Sequence, residues 1–146
     1  MKSFLLVIIG ISVCAFADVT KNGDIVIDIG TGLQWQDDAD AKNITKTWTE
    51  AIDYCENLTL GGFSDWRLPN INELKTIVDK SKYNHNIVTE VTNLSTVFYW
   101  SSTSVAGNSN AASWLIAMGN GKGGVGHGYK GVETYHVRCV RAELQR

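Results

Sequence analysis

Two cysteines set the tightest constraint on what this chain can become. Cys55 and Cys139 stand far apart in the sequence. A bond between them would tie an early element to the last strand and close most of the chain into one loop. The case for that bond rests on compartment. Met1-Lys2-Ser3 is a short basic start, residues 4–13 are an apolar run, and Ala15-Phe16-Ala17 is an A-x-A cleavage pattern. Residues 1–17 therefore read as a secretory signal peptide. A membrane span needs about 20 apolar residues, so this run is too short to be one. The third cysteine, Cys14, falls inside the leader, and the bulky Val13 before it argues against a lipoprotein anchor. In an oxidising compartment an even pair is most simply a disulfide. Loop-closure entropy would make it worth about 4–5 kcal/mol. Two free thiols, or a cysteine nucleophile, are the weaker readings.

Residues 18–146 suffice for a single domain with its own core. A chain that is 44% hydrophobic and 19% charged has a globular composition. Without Lys2 there are 12 basic against 15 acidic residues, a net charge of −3. That excludes the strongly basic surface a nucleic-acid partner requires. The charge is uneven: residues 18–65 carry −7, and residues 105–146 carry +3 together with His127 and His136.

The pattern along the chain is α+β, with two helices packed on small antiparallel sheets. Asn22-Gly23 between two short apolar runs predicts a hairpin. Gly30-Thr31-Gly32 then turns into a strand over residues 33–36. Thr47 and Glu50 form a capping box, and apolar residues at helical spacing follow until Gly61-Gly62 stops the helix. Asn70 and Glu73 cap a second helix running through Val78. Residues 81–96 have no sustained period and read as a loop. Strands are expected over residues 98–101 and 113–118, with a turn at Asn120-Gly121. Residues 123–131, with five glycines, read as a turn-rich loop or irregular strand. Residues 135–141 alternate and read as one closing strand.

The densest motif is Asp65-Trp66-Arg67-Leu68-Pro69-Asn70. Trp66 and Leu68 offer apolar area on a short extended stretch. Pro69 disfavours helix before it and lets one start after it. Asp65 and Arg67 can pin the turn. The motif reads as scaffold ahead of ligand site.

The order of several motifs carries a resemblance. These are Thr31-Gly32-Leu33 with Trp35, Trp48 through Cys55, Gly62, the Asp65–Asn70 run with Glu73-Leu74, Tyr99-Trp100-Ser101-Ser102-Thr103, and Arg138-Cys139-Val140-Arg141. Together they resemble the Lcl C-terminal domain family, named for a domain of a collagen-like bacterial adhesin. The resemblance spans about Ile25 to Arg141. It implies a fold similar to C-type lectin-like and formylglycine-generating-enzyme-like domains. It also implies adhesion, since the namesake domain binds sulfated glycosaminoglycans. Two departures stand out: no collagen-like repeat is present, and the net charge is negative.

A glycan or polyanion would meet the basic C-terminal third. The candidate contacts are Lys122, Lys130, Arg138, Arg141 and Arg146, with Tyr129 and Tyr135 as an aromatic platform and His127 and His136 adding charge in acid. The competing reading has Arg138 and Arg141 hold the last strand by ion pairs to the acidic first half. An envelope protein is the alternative partner. Asp37, Asp38 and Asp40 form a local acidic cluster that reads as a solvated loop ahead of a weak calcium site, because the glycine of an EF-hand is missing. The histidines lack zinc spacing, so neither a metal nor a cofactor is expected. Ser101 and His136 could be assembled with an aspartate on paper. Without a Gly-x-Ser-x-Gly elbow, a binding domain is expected and not an enzyme.

Overall fold

The computed structural model describes residues 19–78, 91–95, 97–118 and 124–142. The architecture is α+β. One sheet has the strand order β1-β2-β3-β9, formed by β1 (Val19–Asn22), β2 (Ile25–Asp28), β3 (Leu33–Gln36) and β9 (Val140–Ala142). The second has the order β4-β8-β5-β6-β7, from β4 (Thr45–Lys46), β5 (Phe98–Ser104), β6 (Ala112–Ala117), β7 (Val125–Tyr129) and β8 (Tyr135–His136). Every pairing is antiparallel except the single β5–β8 contact.

The first hairpin forms one residue later than the Asn-Gly signal suggests. Asn22 pairs with Ile25, so Gly23 and Asp24 are the turn residues. Only Gly23 has positive φ, at 59°, which is the II′ pattern and not I′.

Helix α2 (Trp48–Glu56) starts as expected: the Glu50 carboxylate accepts from the Thr47 amide at 2.9 Å and its hydroxyl at 2.8 Å. It stops earlier than the glycines. Asn57 ends it, its amide and side chain both returning to the Asp53 carbonyl. Gly61 and Gly62 instead make a tight turn between Leu60 and Phe63. Helix α3 (Ile71–Thr76) is capped by Asn70, whose Oδ1 accepts the Glu73 amide at 2.8 Å. A further short helix, α1 (Asp40–Asn43), was not anticipated; the Asp38 carboxylate accepts the Ala41 amide inside it.

Residues 135–141 are not one strand. β8 lies in the second sheet and β9 in the first, and Val137, Arg138 and Cys139 cross between them fully buried. The crossing is held because Cys139 bonds Cys55 on α2, with Cα atoms 5.5 Å apart. Gln36 also pairs with the Cys139 backbone through its amide and its side chain. The expected disulfide is present. The expected turn at Asn120-Gly121 and most of the loop over residues 81–96 lie outside the described residues.

Two apolar clusters fill the interior. One gathers Val26, Trp35, Leu74, Ile77, Tyr99 and Met118 under α3; the other gathers Ala51, Cys55, Trp66, Trp100, Leu115 and Val137 under α2. α2 turns Ala51 and Cys55 inward, four residues apart and so on one face.

Candidate functional site

Every residue of the Asp65–Asn70 motif has a structural partner. Asp65 pairs with Arg141 at 2.6 Å. Trp66 is buried, its indole N–H shared between the Leu60 and Phe63 carbonyls. Arg67 pairs both ways with the Val140 backbone at 2.9 Å and grips Glu73 with two nitrogens. Its fork and the helix cap converge on that one carboxylate, which also accepts the Asn70 amide. The Glu73 carboxyl is largely desolvated, which alone would raise its pKa, but Arg67 and the Asn70 amide hold it below the usual range. Leu68 and Pro69 are buried, and the Pro69 carbonyl accepts the Ser102 amide.

The basic candidates among the described residues do not gather on a surface. Arg138 is fully buried against an equally buried Asp37, at 3.0 Å, and also donates to the carbonyls of Gln36 and Asn93. Arg141 is 4% exposed, lies 3.7 Å from the Phe63 ring centroid and donates to Gln34 and Asp65. A guanidinium buried in this way cannot reach a ligand, so these two arginines make the ion pairs of the competing reading. Lys130 places its ammonium 3.8 Å from the Trp48 ring centroid and donates to Ser104 and the Ser109 carbonyl. Tyr135 is a packing ring, edge-on to Trp100 at 4.9 Å and to Phe98 at 6.1 Å. His136 lies against Tyr99, and burial depresses its pKa, so it resists charging in acid. Lys122 and Arg146 lie outside the described residues.

Among the described residues of the expected set, Tyr129, 51% exposed, and His127 are the ones open to solvent. β7 runs Val125-Gly126-His127-Gly128-Tyr129, with its three large residues exposed. Strand geometry puts alternate residues on one face. The glycines face inward: a Cβ on Gly128 would sit 2.5 Å from Tyr135 and 2.9 Å from Trp100, and one on Gly126 would sit 3.4 Å from Phe98. Trp114 of β6 lies opposite His127, half-buried against the first apolar cluster. Its ring stands edge-on to the imidazole at 6.5 Å, and the imidazole stands edge-on to Tyr129 at 6.3 Å. Beside this row opens a cavity of about 360 Å³ lined by Ile71, Lys75, Trp114 and Val125. The result is a line of three rings with exposed area, beside a hollow with one ammonium at its wall.

A family model, the Lcl C-terminal domain, matches residues 24–141. The chain belongs to that family. No curated protein and no solved structure matches it. For this member of the Lcl C-terminal domain family, the match takes in every strand but β1, the disulfide and the β6–β7 row, and it makes the chain an adhesin-related domain.

The remaining candidates have separate local partners. Asp37 is held by Arg138 and Lys21, Asp38 by the start of α1 and by Gln36, and Asp40 by the Tyr54 hydroxyl. Among the described residues no cluster of three or more histidine, cysteine or carboxylate groups could hold a metal ion. The Ser101 hydroxyl donates to the Trp114 carbonyl at 2.7 Å. No described helix is long and apolar enough to cross a membrane.

Proposed function

We propose that this is an exported, non-enzymatic binding domain with a C-type lectin-like architecture, and that it recognises a glycan through the outer face of β6 and β7. The observation that carries the reading is the exposed pair His127 and Tyr129 with the half-buried Trp114 beside it. Aromatic rings offer flat apolar area framed by polar N–H and O–H groups, which suits the mixed C–H and hydroxyl surface of a sugar. The adjoining cavity gives a second sugar unit somewhere to seat. Recognition by stacking fits this chain better than capture of a polyanion, because Arg138 and Arg141 are neutralised inside.

The test is a panel of neutral and sulfated glycans measured against residues 18–146 across a salt series. The expected outcome is binding that changes little with salt, since stacking is not screened. Tyr129→Ala with His127→Ala should weaken it at least about tenfold, the scale of one good aromatic contact, with the melting temperature unchanged. Binding only to sulfated chains, fading with salt and indifferent to the double variant, would overturn the stacking site. A second reading, a protein-interaction module of the bacterial envelope, is favoured by one feature, the open outer edge of β7.

A further inference from the structure

β7 ends the five-strand sheet, and the hydrogen bonds at its two ends reveal which of its backbone groups are free. Ala117 N–H donates to the Gly124 carbonyl and Lys130 N–H to the Ala111 carbonyl, both in register with the β6–β7 ladder. In an antiparallel pair, bonded and non-bonded positions alternate. Gly124, Gly126, Gly128 and Lys130 therefore bond inward to β6. Val125, His127 and Tyr129 point their N–H and C=O groups outward. Tyr129 is already satisfied: its N–H donates to Glu133 and its carbonyl accepts from the Val132 and Glu133 amides. Among the described residues, nothing pairs with the outward groups of Val125 and His127.

Those four groups are arranged symmetrically about Gly126. We infer that a second copy of this chain pairs antiparallel with β7 about a two-fold axis at Gly126, setting Val125 opposite His127 of the other copy. That register uses all four open groups of each copy in four hydrogen bonds, two at each Val125–His127 pair. It brings Gly126 against Gly126, a position with no side chain to obstruct close approach. The strand also lacks what natural edges use to prevent such pairing, since Val125-Gly126-His127-Gly128-Tyr129 contains no lysine, no carboxylate and no proline. Val125 is 45% exposed, so the pairing removes apolar area from water. The axis is perpendicular to the sheet, so the aromatic rows of both copies share one face of a ten-strand sheet. An unrelated extended peptide has no reason to match this symmetry.

So short a seam makes a weak dimer, below the standard interface area, and it must be sought at high concentration. Sedimentation of residues 18–146 up to about 1 mM, the Kd of a contact worth about 4 kcal/mol, should show a monomer–dimer equilibrium. Amide exchange at Val125 and His127 should slow as concentration rises. Val125→Lys, a charged exposed edge residue, and His127→Pro, whose lost N–H points outward so that the β6 ladder is kept, should each shift the equilibrium at least about tenfold toward monomer. Sheet content should be unchanged in both. A chain monomeric throughout the range would overturn the proposal. So would a dimer that leaves those two amides unprotected or survives both substitutions.

Discussion

At the scale of single residues, the buried ion pair decides most. Asp37 and Arg138 are both fully buried, and Lys21, Thr92 and Asn93 complete the cage around the carboxylate. Breaking such a pair strands a charge away from water, so Asp37→Asn should cost about 3–5 kcal/mol in urea unfolding. The pair also sets an acid limit. Burial alone would raise the Asp37 pKa, but the Lys21 bond, the Thr92 amide and Arg138 together hold it below its ordinary 3.8. A depressed carboxylate stabilises fully above its unfolded pKa and progressively less as pH falls through the folded value. The stability gap between wild type and Asp37→Asn should therefore stay constant above about pH 5 and close below 3.8. A gap that persists at lower pH would mean the carboxylate's charge is not what Arg138 requires. The sequence offered both fates for Arg138, ligand contact and ion pair. What it could not show is that Asp37, about a hundred positions away, turns inward beside it, because a partner at that separation leaves no local periodicity.

At the scale of elements, turns and caps were legible and strand identity was less so. Thr47, Glu50, Asn70 and Glu73 act within three residues of each other, and their caps form where expected. The glycines of β7 left loop and irregular strand both open, and the strand is what forms. Their spacing held the better signal: large and absent side chains alternate from Val125 to Tyr129, which is the period of a strand packed tightly on one side. Gly128→Ala tests that packing. Its Cβ would press on Tyr135 and Trp100, and overpacking of this kind costs about 1–3 kcal/mol. Thermal unfolding should show that loss, and glycan binding should fall with it as β7 is pushed outward. Gly124→Ala, where a Cβ meets nothing, is the control. The final run misled. Its alternation is real, but Cys139 and Arg138 divert the chain from one sheet to the other.

At the scale of the whole molecule, the α+β class and the family were legible, because they rest on the order of many short motifs. The candidate site was legible at Tyr129 and His127, the latter expected for its charge and not for its ring. Trp114 is half-buried against the first apolar cluster, and its place beside His127 becomes visible only once β7 is paired with β6. The Cys55–Cys139 bond closes across a separation of 84 residues. For an adhesin-related domain placed under tension, that bond limits how much of the chain can be pulled out. Tension applied outside residues 19–142 can peel β1 through β3 and β9, but the chain between the two cysteines is bypassed by the covalent link. It contains most of the five-strand sheet and the whole Trp114–Tyr129 row. Stretched singly between two anchors, the oxidised domain should release about 290 Å less length on unfolding than the reduced one, at about 3.4 Å per bypassed residue. Equal lengths in both states would remove the shield. If the difference is found, the β6–β7 face can keep its shape under a pull that has already undone the neighbouring sheet.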